Sequence, residues 1–348
     1  MSDGDNSVKT ESSKKIAKAN YLSCVIYYFW LFSLLFFFGC NQQQGQDKAG
    51  DLFVDAVMLK ELEKNEVAVE RLNSAIKLDK SRSFQAPAYS LLGEIYMEMG
   101  RYEESAAAYA KATQLDRSSF NDFFSLGKVY EAMKQFPSAA HAYARACGID
   151  RNHLEAHISA AKCYYKIKDY DRALSYGRGA ERIDPDVSEV QNMLGEIYVL
   201  KKDYEQAIHS YKRSLEIDGH NPDVMVSLAV AYLSMNQNEA AKEVLEAVVQ
   251  IQPDNNTAYK HLGYCYLRLK DIDKSIGSYN KAIEIDENDW DARRGLGVAY
   301  ILKGTNEDGS IDEQLRAEAV RQWQRSLEIK PDQPNREGLL KYIRVFAK

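Results

Sequence analysis

The sequence predicts an all-α solenoid of about eight repeated helix pairs, closed by a final helix. A small residue followed three positions later by tyrosine returns every 34 residues. Apolar residues at helical spacing flank a short polar turn inside each unit. A fixed period of this length is typical of stacked repeats that contact only their neighbours. The in-phase copies are Gly93/Tyr96, Gly127/Tyr130, Ala161/Tyr164, Gly195/Tyr198, Ala229/Tyr232, Gly263/Tyr266 and Gly297/Tyr300.

The unit at residues 86–119 shows why each repeat folds as an antiparallel helix pair. One apolar series precedes Gly100 and a second follows it, so a turn is expected there. Gly93 lies on the inner face of the first helix, where a residue without bulk lets the second helix approach closely. That approach outweighs the roughly 1 kcal/mol that glycine costs inside a helix. Asp116 closes the unit, because aspartate stops one helix and favours the start of the next.

These repeated residues resemble the tetratricopeptide repeat family over residues 49–333. The family pattern is a bulky residue, Leu-Gly, Tyr, then Ala, an aromatic residue and Ala. Repeat 120–153 carries this pattern as Phe123, Leu126, Gly127, Tyr130, Ala139, Tyr143 and Ala146. The resemblance implies a right-handed superhelix whose first helices line a concave groove for an extended peptide or a partner helix.

The register divides the chain into an array at residues 51–333 and a capping helix at 334–348. The first repeat has Ala56 and Leu59 in place of glycine and tyrosine, as expected of a terminal repeat. The last repeat carries an inserted polar loop at residues 304–316. The predicted repeats are 49–82, 86–119, 120–153, 154–187, 188–221, 222–255, 256–289 and 290–333.

The N-terminal 39 residues indicate export or membrane anchoring. A polar segment with four lysines precedes an uncharged, largely apolar segment at 21–39. The following Gly39-Cys40 resembles a bacterial lipoprotein cleavage box, which implies that Cys40 becomes the lipidated first residue and that 40–50 is a flexible tether. Under that family's sorting rule, the non-acidic Asn41 favours the outer membrane. The alternative is an uncleaved inner-membrane anchor at 21–39. Either way, the repeats face the periplasm or the exterior.

Composition and motifs argue against catalysis and against nucleic acid. The formal net charge is −6, which disfavours nucleic acid as a partner. Phosphate loops, zinc-protease helices and nucleophile elbows are all missing from the sequence. We therefore expect no enzyme activity, no metal and no cofactor, with His153 and His157 serving packing. We also expect Cys147, Cys163 and Cys265 to be buried thiols.

The repeat register places candidate partner-binding residues on the first helices. Lysines with an aromatic residue come first, an apolar stretch including Val199 and Leu200 follows, and a second basic section ends the series. Such an order suits a peptide with hydrophobic anchors flanked by acids. The alternative is that some of these residues pack against the next repeat. The candidates are Lys128, Glu131, Lys162, Tyr165, Lys166, Glu196, Val230, Leu233, Tyr264, Arg268 and Arg294.

The sequence thus predicts a membrane-anchored, non-enzymatic scaffold that binds a protein or peptide partner. By analogy of architecture and address, it would help assemble an envelope complex such as a secretion, pilus or export system. One alternative is a glycan-binding accessory to polysaccharide export or cell-wall synthesis, motivated by Tyr165 and Tyr264. Another is an enzyme that uses the acidic residues of the inserted loop. The sequence leaves the oligomeric state open.

Overall fold

A computed structural model describes residues 43–347. Cys40 and the apolar segment 21–39 lie outside these residues. Within them the chain forms 17 α-helices. The helices are α1 (Gln43–Glu61), α2 (Asn65–Leu78), α3 (Arg82–Glu98), α4 (Tyr102–Leu115), α5 (Phe120–Ala132), α6 (Phe136–Ile149), α7 (Leu154–Lys166), α8 (Tyr170–Ile183), α9 (Ser188–Leu200), α10 (Tyr204–Ile217), α11 (Pro222–Ser234), α12 (Asn238–Ile251), α13 (Asn256–Arg268), α14 (Ile272–Ile285), α15 (Trp290–Gly304), α16 (Glu313–Ile329) and α17 (Arg336–Phe346).

Each odd-numbered helix from α1 to α15 packs against the even-numbered helix that follows it. These eight pairs are the eight predicted repeats, and α17 packs on α16 as the final helix. The predicted all-α solenoid of helix pairs is therefore confirmed. None of the 17 helices is both long enough and apolar enough to cross a membrane.

The array consists of two compact units, residues 43–117 and residues 118–347. In the first unit, Leu72 and Ile95 lie in a core between α1, α2 and α3. In the second unit, the apolar clusters extend from one pair to the next, and one of them contains both Leu245 of α12 and Cys265 of α13. Each core is built from contacts between adjacent helices, as expected of a stacked array.

A close approach inside the pairs explains the recurring glycines. A methyl group on Gly93 would lie 2.7 Å from the ring of Tyr109, and one on Gly195 would lie 2.5 Å from Tyr211. Both distances are shorter than a van der Waals contact, so the second helix could not pack as it does. The prediction that Gly93 permits this approach is correct.

In the first seven pairs, the turn ends the first helix with a residue in the left-handed region. The N–H of Asp169 then donates to the carbonyl oxygen of Tyr164 at 2.9 Å, closing the end of α7. Glycine takes this conformation most easily, yet it occurs in only one of these turns. The residues with positive φ in these seven turns are Glu63, Gly100, Lys134, Lys168, Lys202, Asn236 and Lys270.

Two boundaries differ from the sequence prediction. Helix α1 begins at Gln43, so most of the segment 40–50 that we expected to be a flexible tether is helical. The physical reason is that Ala49, with none of its surface exposed, packs into the core of the first unit. In the inserted segment 304–316, the non-helical part is short. Thr305 and Ile311 form an antiparallel bridge, and α16 begins at Glu313.

Candidate partner-binding surface

All eleven groove candidates lie on the first helices of the second unit, α5 to α15. In this unit, each first helix from α7 to α13 also packs directly on the first helix of the next pair. No comparable packing joins consecutive second helices in the described part of the unit. The first helices are therefore closer together and lie on the inner side of its curvature. We call the solvent-facing side of α5, α7, α9, α11, α13 and α15 the first-helix surface.

Each of the three lysines predicted at the start of this surface has a carboxylate partner. Lys128 Nζ lies 3.4 Å from Glu155 Oε1, and Lys162 Nζ lies 2.5 Å from Glu189 Oε1. Both pairs join one first helix to the next. Lys166 Nζ lies 3.7 Å from an oxygen of the predicted candidate Glu131. Exposed pairs of this kind contribute about 0–1 kcal/mol each, so their main effect is to neutralise this section.

The partners Glu155 and Glu189 were missed at the sequence level, although a regular signal existed. Each glutamate follows its lysine by 27 residues, which is the distance from one first helix to the start of the next. A search for opposite charges at that spacing would have found both pairs.

Tyr165 and Glu196 form the boundary between the charged section and the apolar one. Tyr165 is half-buried and lies edge-to-face against Tyr170, with ring centres 6.1 Å apart. Burial, and then the nearby Glu196 carboxylate, raises the pKa of Tyr165. Glu196 also accepts a hydrogen bond from Asn192 Nδ2 at 3.2 Å. Tyr165 is therefore held in place by its neighbours rather than freely exposed.

The apolar section is partly core and partly surface. Val199 and Leu233 pack against the core cluster of the second unit, and Val230 is half-buried. Leu200, by contrast, is 45% exposed at the end of α9. Of the two interpretations, packing thus holds for Val199 and exposure for Leu200. The same division recurs on α15, where Ile301 packs against the core and Leu302 is 48% exposed.

The second basic section contains one cation that differs from the others. The Arg268 guanidinium is exposed and donates from Nη2 to the amide oxygen of Asn236 at 3.1 Å. It forms no ion pair with any carboxylate of residues 43–347. Tyr264, 40% exposed, lies one turn before it on α13. Asn236 was not predicted from the sequence, because it belongs to the turn after α11 rather than to a first helix.

Arg294, the last candidate, is largely engaged within its own region. Its Nη2 lies 2.5 Å from Asp291 Oδ1, and its guanidinium carbon lies 5.2 Å from the centre of the Trp290 ring. A further hydrogen bond reaches the carbonyl oxygen of Pro334 at 3.4 Å. Arg294 therefore connects α15 to the segment before α17 and is less available to a partner than Arg268.

The two histidines expected to serve packing, His153 and His157, lie at the start of helix α7. His153 Nδ1 accepts a hydrogen bond from the N–H of Ala156 at 3.2 Å and so caps the helix. His157 is 7% exposed, and burial lowers its pKa. Among residues 43–347, no group of three or more metal-binding side chains is arranged around a common point.

A depression lies away from the first-helix surface, between α12, α13 and α14. It has a volume of about 540 Å³ and is lined in part by Glu246, Tyr259 and Tyr266. The Tyr266 hydroxyl donates to Glu246 Oε1 at 2.5 Å, so the acidic side chain is already paired.

Comparison with known structures gives the same architecture. The C-terminal part of a TPR repeat-containing protein from Cytophaga hutchinsonii aligns over 70% of this chain and 99% of its own, with a TM-score of 0.55 and 19% identity. YrrB, a TPR protein with an unusual peptide-binding site, aligns over 58% of this chain and 99% of its own, at 0.47 and 21%. A repeat protein from Parabacteroides merdae aligns over 76% and 99%, at 0.49 and 11%. Of the three, only the Cytophaga protein has a TM-score above 0.5, and at 19% identity this likeness concerns the fold alone.

Comparison with curated proteins gave no match. Sequence models of the tetratricopeptide repeat match residues 93–134, 130–197, 198–263 and 257–289. Since these matches follow one another without a gap over more than half of the chain, the protein belongs to the tetratricopeptide repeat family.

Proposed function

We propose that this protein is a membrane-anchored, non-enzymatic scaffold that binds a protein or peptide partner on its first-helix surface. Tetratricopeptide arrays generally mediate protein–protein interactions. The observation that carries the proposal is the change in chemistry along this surface. A charge-compensated section gives way to an apolar section with Leu200 exposed, and then to exposed Tyr264 and the unpaired cation Arg268.

The charges along the first-helix surface indicate where a partner would place its acidic side chains. An acidic side chain arriving at Lys162 must compete with Glu189, which already lies 2.5 Å away. An acidic side chain arriving at Arg268 displaces no carboxylate, and the planar guanidinium can hold it with two hydrogen bonds. We therefore expect a segment whose apolar side chains lie along Leu200 and Val230, with a carboxylate at Arg268. Acids at both ends, as expected from the sequence, are not required.

The cellular location that we propose for the scaffold is inferred from the sequence before residue 43. Segment 21–39 and Cys40 support a lipoprotein of the outer membrane that faces the periplasm, and an uncleaved inner-membrane anchor is the alternative. In either location, the array would take part in assembling an envelope complex such as a secretion, pilus or export system.

The binding proposal is tested by co-purification of partners from cross-linked envelopes. Arg268→Glu and Tyr264→Ala change exposed side chains, so the fold should be kept. Lys270→Glu is the matched control, because it makes the same charge change two residues away, in the turn. We expect the partner recovered with wild type and control to fall at least tenfold with Arg268→Glu. Equal recovery from all variants would refute binding at this surface.

The anchor is tested by the intact mass of the protein expressed in a bacterial host. A mature chain that starts at Cys40, carries acyl groups and loses them in Cys40→Ser would establish the lipoprotein. A membrane-bound chain that still begins near Met1 would establish the uncleaved anchor instead.

A glycan-binding accessory is the second candidate, and the exposed ring of Tyr264 is the observation that favours it. Sugars stack on aromatic rings without needing a cation. Retention on a polysaccharide column that is lost in Tyr264→Ala but kept in Arg268→Gln would favour this candidate over the peptide scaffold.

A further inference from the structure

One position of the repeat is buried in every repeat except the first. Counted from the start of each predicted repeat, the tenth residue lies on the first helix, and inside each unit it faces the preceding pair. In the second unit, for example, Cys265 on α13 belongs to one cluster with Leu245 and Val248 of α12. Seven consecutive repeats leave this residue 0% exposed: Ile95, Val129, Cys163, Ile197, Ala231, Cys265 and Ala299.

The first repeat breaks this rule. Its tenth residue is Met58, which is 60% exposed on α1. Val54, one turn earlier, is 39% exposed, and Leu62, one turn later, is 64% exposed. Spacing of four residues places all three on one side of the helix. This side, the α1 face, is the surface by which the other first helices pack on a preceding pair. End repeats normally present a polar outer surface, so an apolar outer surface on an end repeat indicates that another surface packs on it.

The last helix shows a second surface of this kind. Leu339 of α17 is buried, and Ile343 and Phe346 pack against the core of the last repeat. On the other side of α17, Tyr342 is 51% exposed and Val345 is 58% exposed. We call this side the α17 face. Among the large apolar residues of the described chain, four are more than half exposed, and they divide equally between the two faces.

The charges around the two faces are opposite. Asp51 and Asp55 are exposed beside Val54 and Met58 on α1. On α17, Lys341 and Arg344 are exposed beside Tyr342 and Val345. A contact between two α1 faces would bring carboxylates together, and a contact between two α17 faces would bring cations together. Only a contact between unlike faces pairs apolar with apolar and acid with base.

We propose that the α1 face of one molecule packs on the α17 face of a second copy of this chain, so that the protein associates head to tail. The junction continues the packing that joins repeats inside each unit. Because the two faces differ, the contact is heterologous, and each added copy leaves one face free at either end. Such contacts build open chains unless the geometry closes them into a ring. This association is independent of the partner proposed for the first-helix surface.

Cysteine cross-linking of the full chain in the membranes of an expressing bacterium tests the proposal. Met58→Cys is placed on a copy with one tag and Val345→Cys on a copy with another, and a short bismaleimide is applied. We expect a cross-link between the two tags when both copies are present, and none when either variant is expressed alone. A single chain with both substitutions should give a ladder of dimers, trimers and longer species.

Two controls make the outcome decisive. The unsubstituted chain gives the background from the native cysteines. Leu302→Cys is a matched site, because Leu302 is 48% exposed but lies on α15; it should not cross-link to Val345→Cys. A Met58→Cys chain that cross-links to itself, to another protein or to nothing overturns the head-to-tail contact.

Charge exchange gives a second measurement on the same pair. Asp51→Lys with Asp55→Lys should lower cross-linking between the tagged copies at least fivefold. Lys341→Glu with Arg344→Glu on the other copy should restore it. A loss without restoration would show that opposite charges do not define this contact, and the proposal would then fail.

Discussion

The repeats with glycine at the eighth position differ from those with alanine in the residue that follows 16 positions later. In the glycine repeats that residue is aromatic, as in Gly263 and Tyr279; in the alanine repeats it is not, as in Ala229 and Leu245. The other glycine pairs at this spacing are Gly93/Tyr109, Gly127/Tyr143 and Gly195/Tyr211, and the other alanine pairs are Ala56/Leu72 and Ala161/Gly177. The last repeat pairs Gly297 with Trp323 across its insertion.

This difference shows that the two helices of a pair share a fixed volume. Where the second helix has a buried ring, the first helix has glycine at the eighth position and therefore lacks the methyl group of alanine. Tyr143 is 1% exposed and Tyr279 is 3% exposed, so neither ring has room to turn outward. Burial raises the pKa of both phenols, in keeping with rings enclosed by the pair. Alanine and glycine at the eighth position are therefore not interchangeable, although both are small.

The largest effect is expected from Gly263→Ala. The added methyl group would lie 2.7 Å from the Tyr279 ring, and the helix cannot relieve this by moving a flexible side-chain end. Overpacking costs about 1–3 kcal/mol, and the better helix propensity of alanine offsets about 1 kcal/mol of it. We expect a net loss of up to about 2 kcal/mol in the free energy of unfolding, measured by urea denaturation.

The matched control is Gly263→Ala combined with Tyr279→Leu, which reproduces the alanine type of repeat. The double variant should be more stable than Gly263→Ala combined with a substitution at a distant buried position. If Gly263→Ala alone is as stable as wild type, the shared-volume explanation is wrong.

The reverse exchange in the neighbouring repeat should show a coupling of about 1 kcal/mol. Leu245→Tyr alone places a ring against the methyl group of Ala229, and Leu245 has no exposed surface that could let the ring turn outward. Adding Ala229→Gly removes the conflict and recovers part of the lost stability. The coupling energy comes from a double-mutant cycle of urea denaturation, and a value near zero would contradict it.

The period was enough to predict the helix pairs and their number, and the apolar residues of segment 334–348 predicted the final helix. It also placed Gly93 correctly, because a small residue at a fixed position signals a close approach. The relation between the eighth position and the residue 16 positions later, as in Ala161 and Gly177, could have been found in the sequence because the spacing is constant. The ion pairs of Lys128 and Lys162 were predictable for the same reason.

Other features depend on contacts that no local pattern specifies. Asn236 reaches Arg268 from a turn in the preceding repeat, at a separation of 32 residues. The early start of α1 at Gln43 depends on burial of Ala49 against its own unit. The exposure of Met58 on the first described helix could not be read from the sequence, because the same position is buried in each of the seven repeats that follow.

The turns inside the pairs should respond equally in both types of repeat, because they lie outside the shared volume. Lys134 belongs to a glycine repeat and Lys168 to an alanine repeat, and both have positive φ. A left-handed conformation costs a residue with a side chain roughly 1–2 kcal/mol, part of which glycine loses again through its flexible unfolded state. Lys134→Gly and Lys168→Gly should each raise the free energy of unfolding by about 0.5–1 kcal/mol.

Thermal denaturation of both variants checks this expectation, with Gly100→Ala as the opposite change. Gly100 has φ of 72°, so alanine should lower stability there. A gain in only one of the two lysine variants would mean that the turn and the helix interface are coupled.

The smallest expected effect is a loss of stability at acid pH. It arises in the repeat that pairs Ala161 with Gly177. There, Gly179 also leaves space that the buried ring of His157 occupies. Because burial lowers the pKa of His157 in the folded state, the unfolded chain binds a proton more readily below about pH 6.5. Stability should therefore decrease as the pH falls from 7 to 5. The free energy of unfolding of His157→Gln, measured by urea denaturation at pH 7 and pH 5, should decrease less than that of wild type. An equal decrease in both proteins would show that His157 is not the origin of the effect.

The burial of three thiols gives the array chemical durability. Burial raises the pKa of Cys147, Cys163 and Cys265 to about 12 each, and all three are free. At neutral pH, roughly one molecule in 10⁵ would then carry a thiolate at any one of these sites. Since the thiolate is the form that exchanges with disulfides and reacts with oxidants, the folded array resists both reactions. It could pass from a reducing to an oxidising compartment without acquiring crosslinks at these positions.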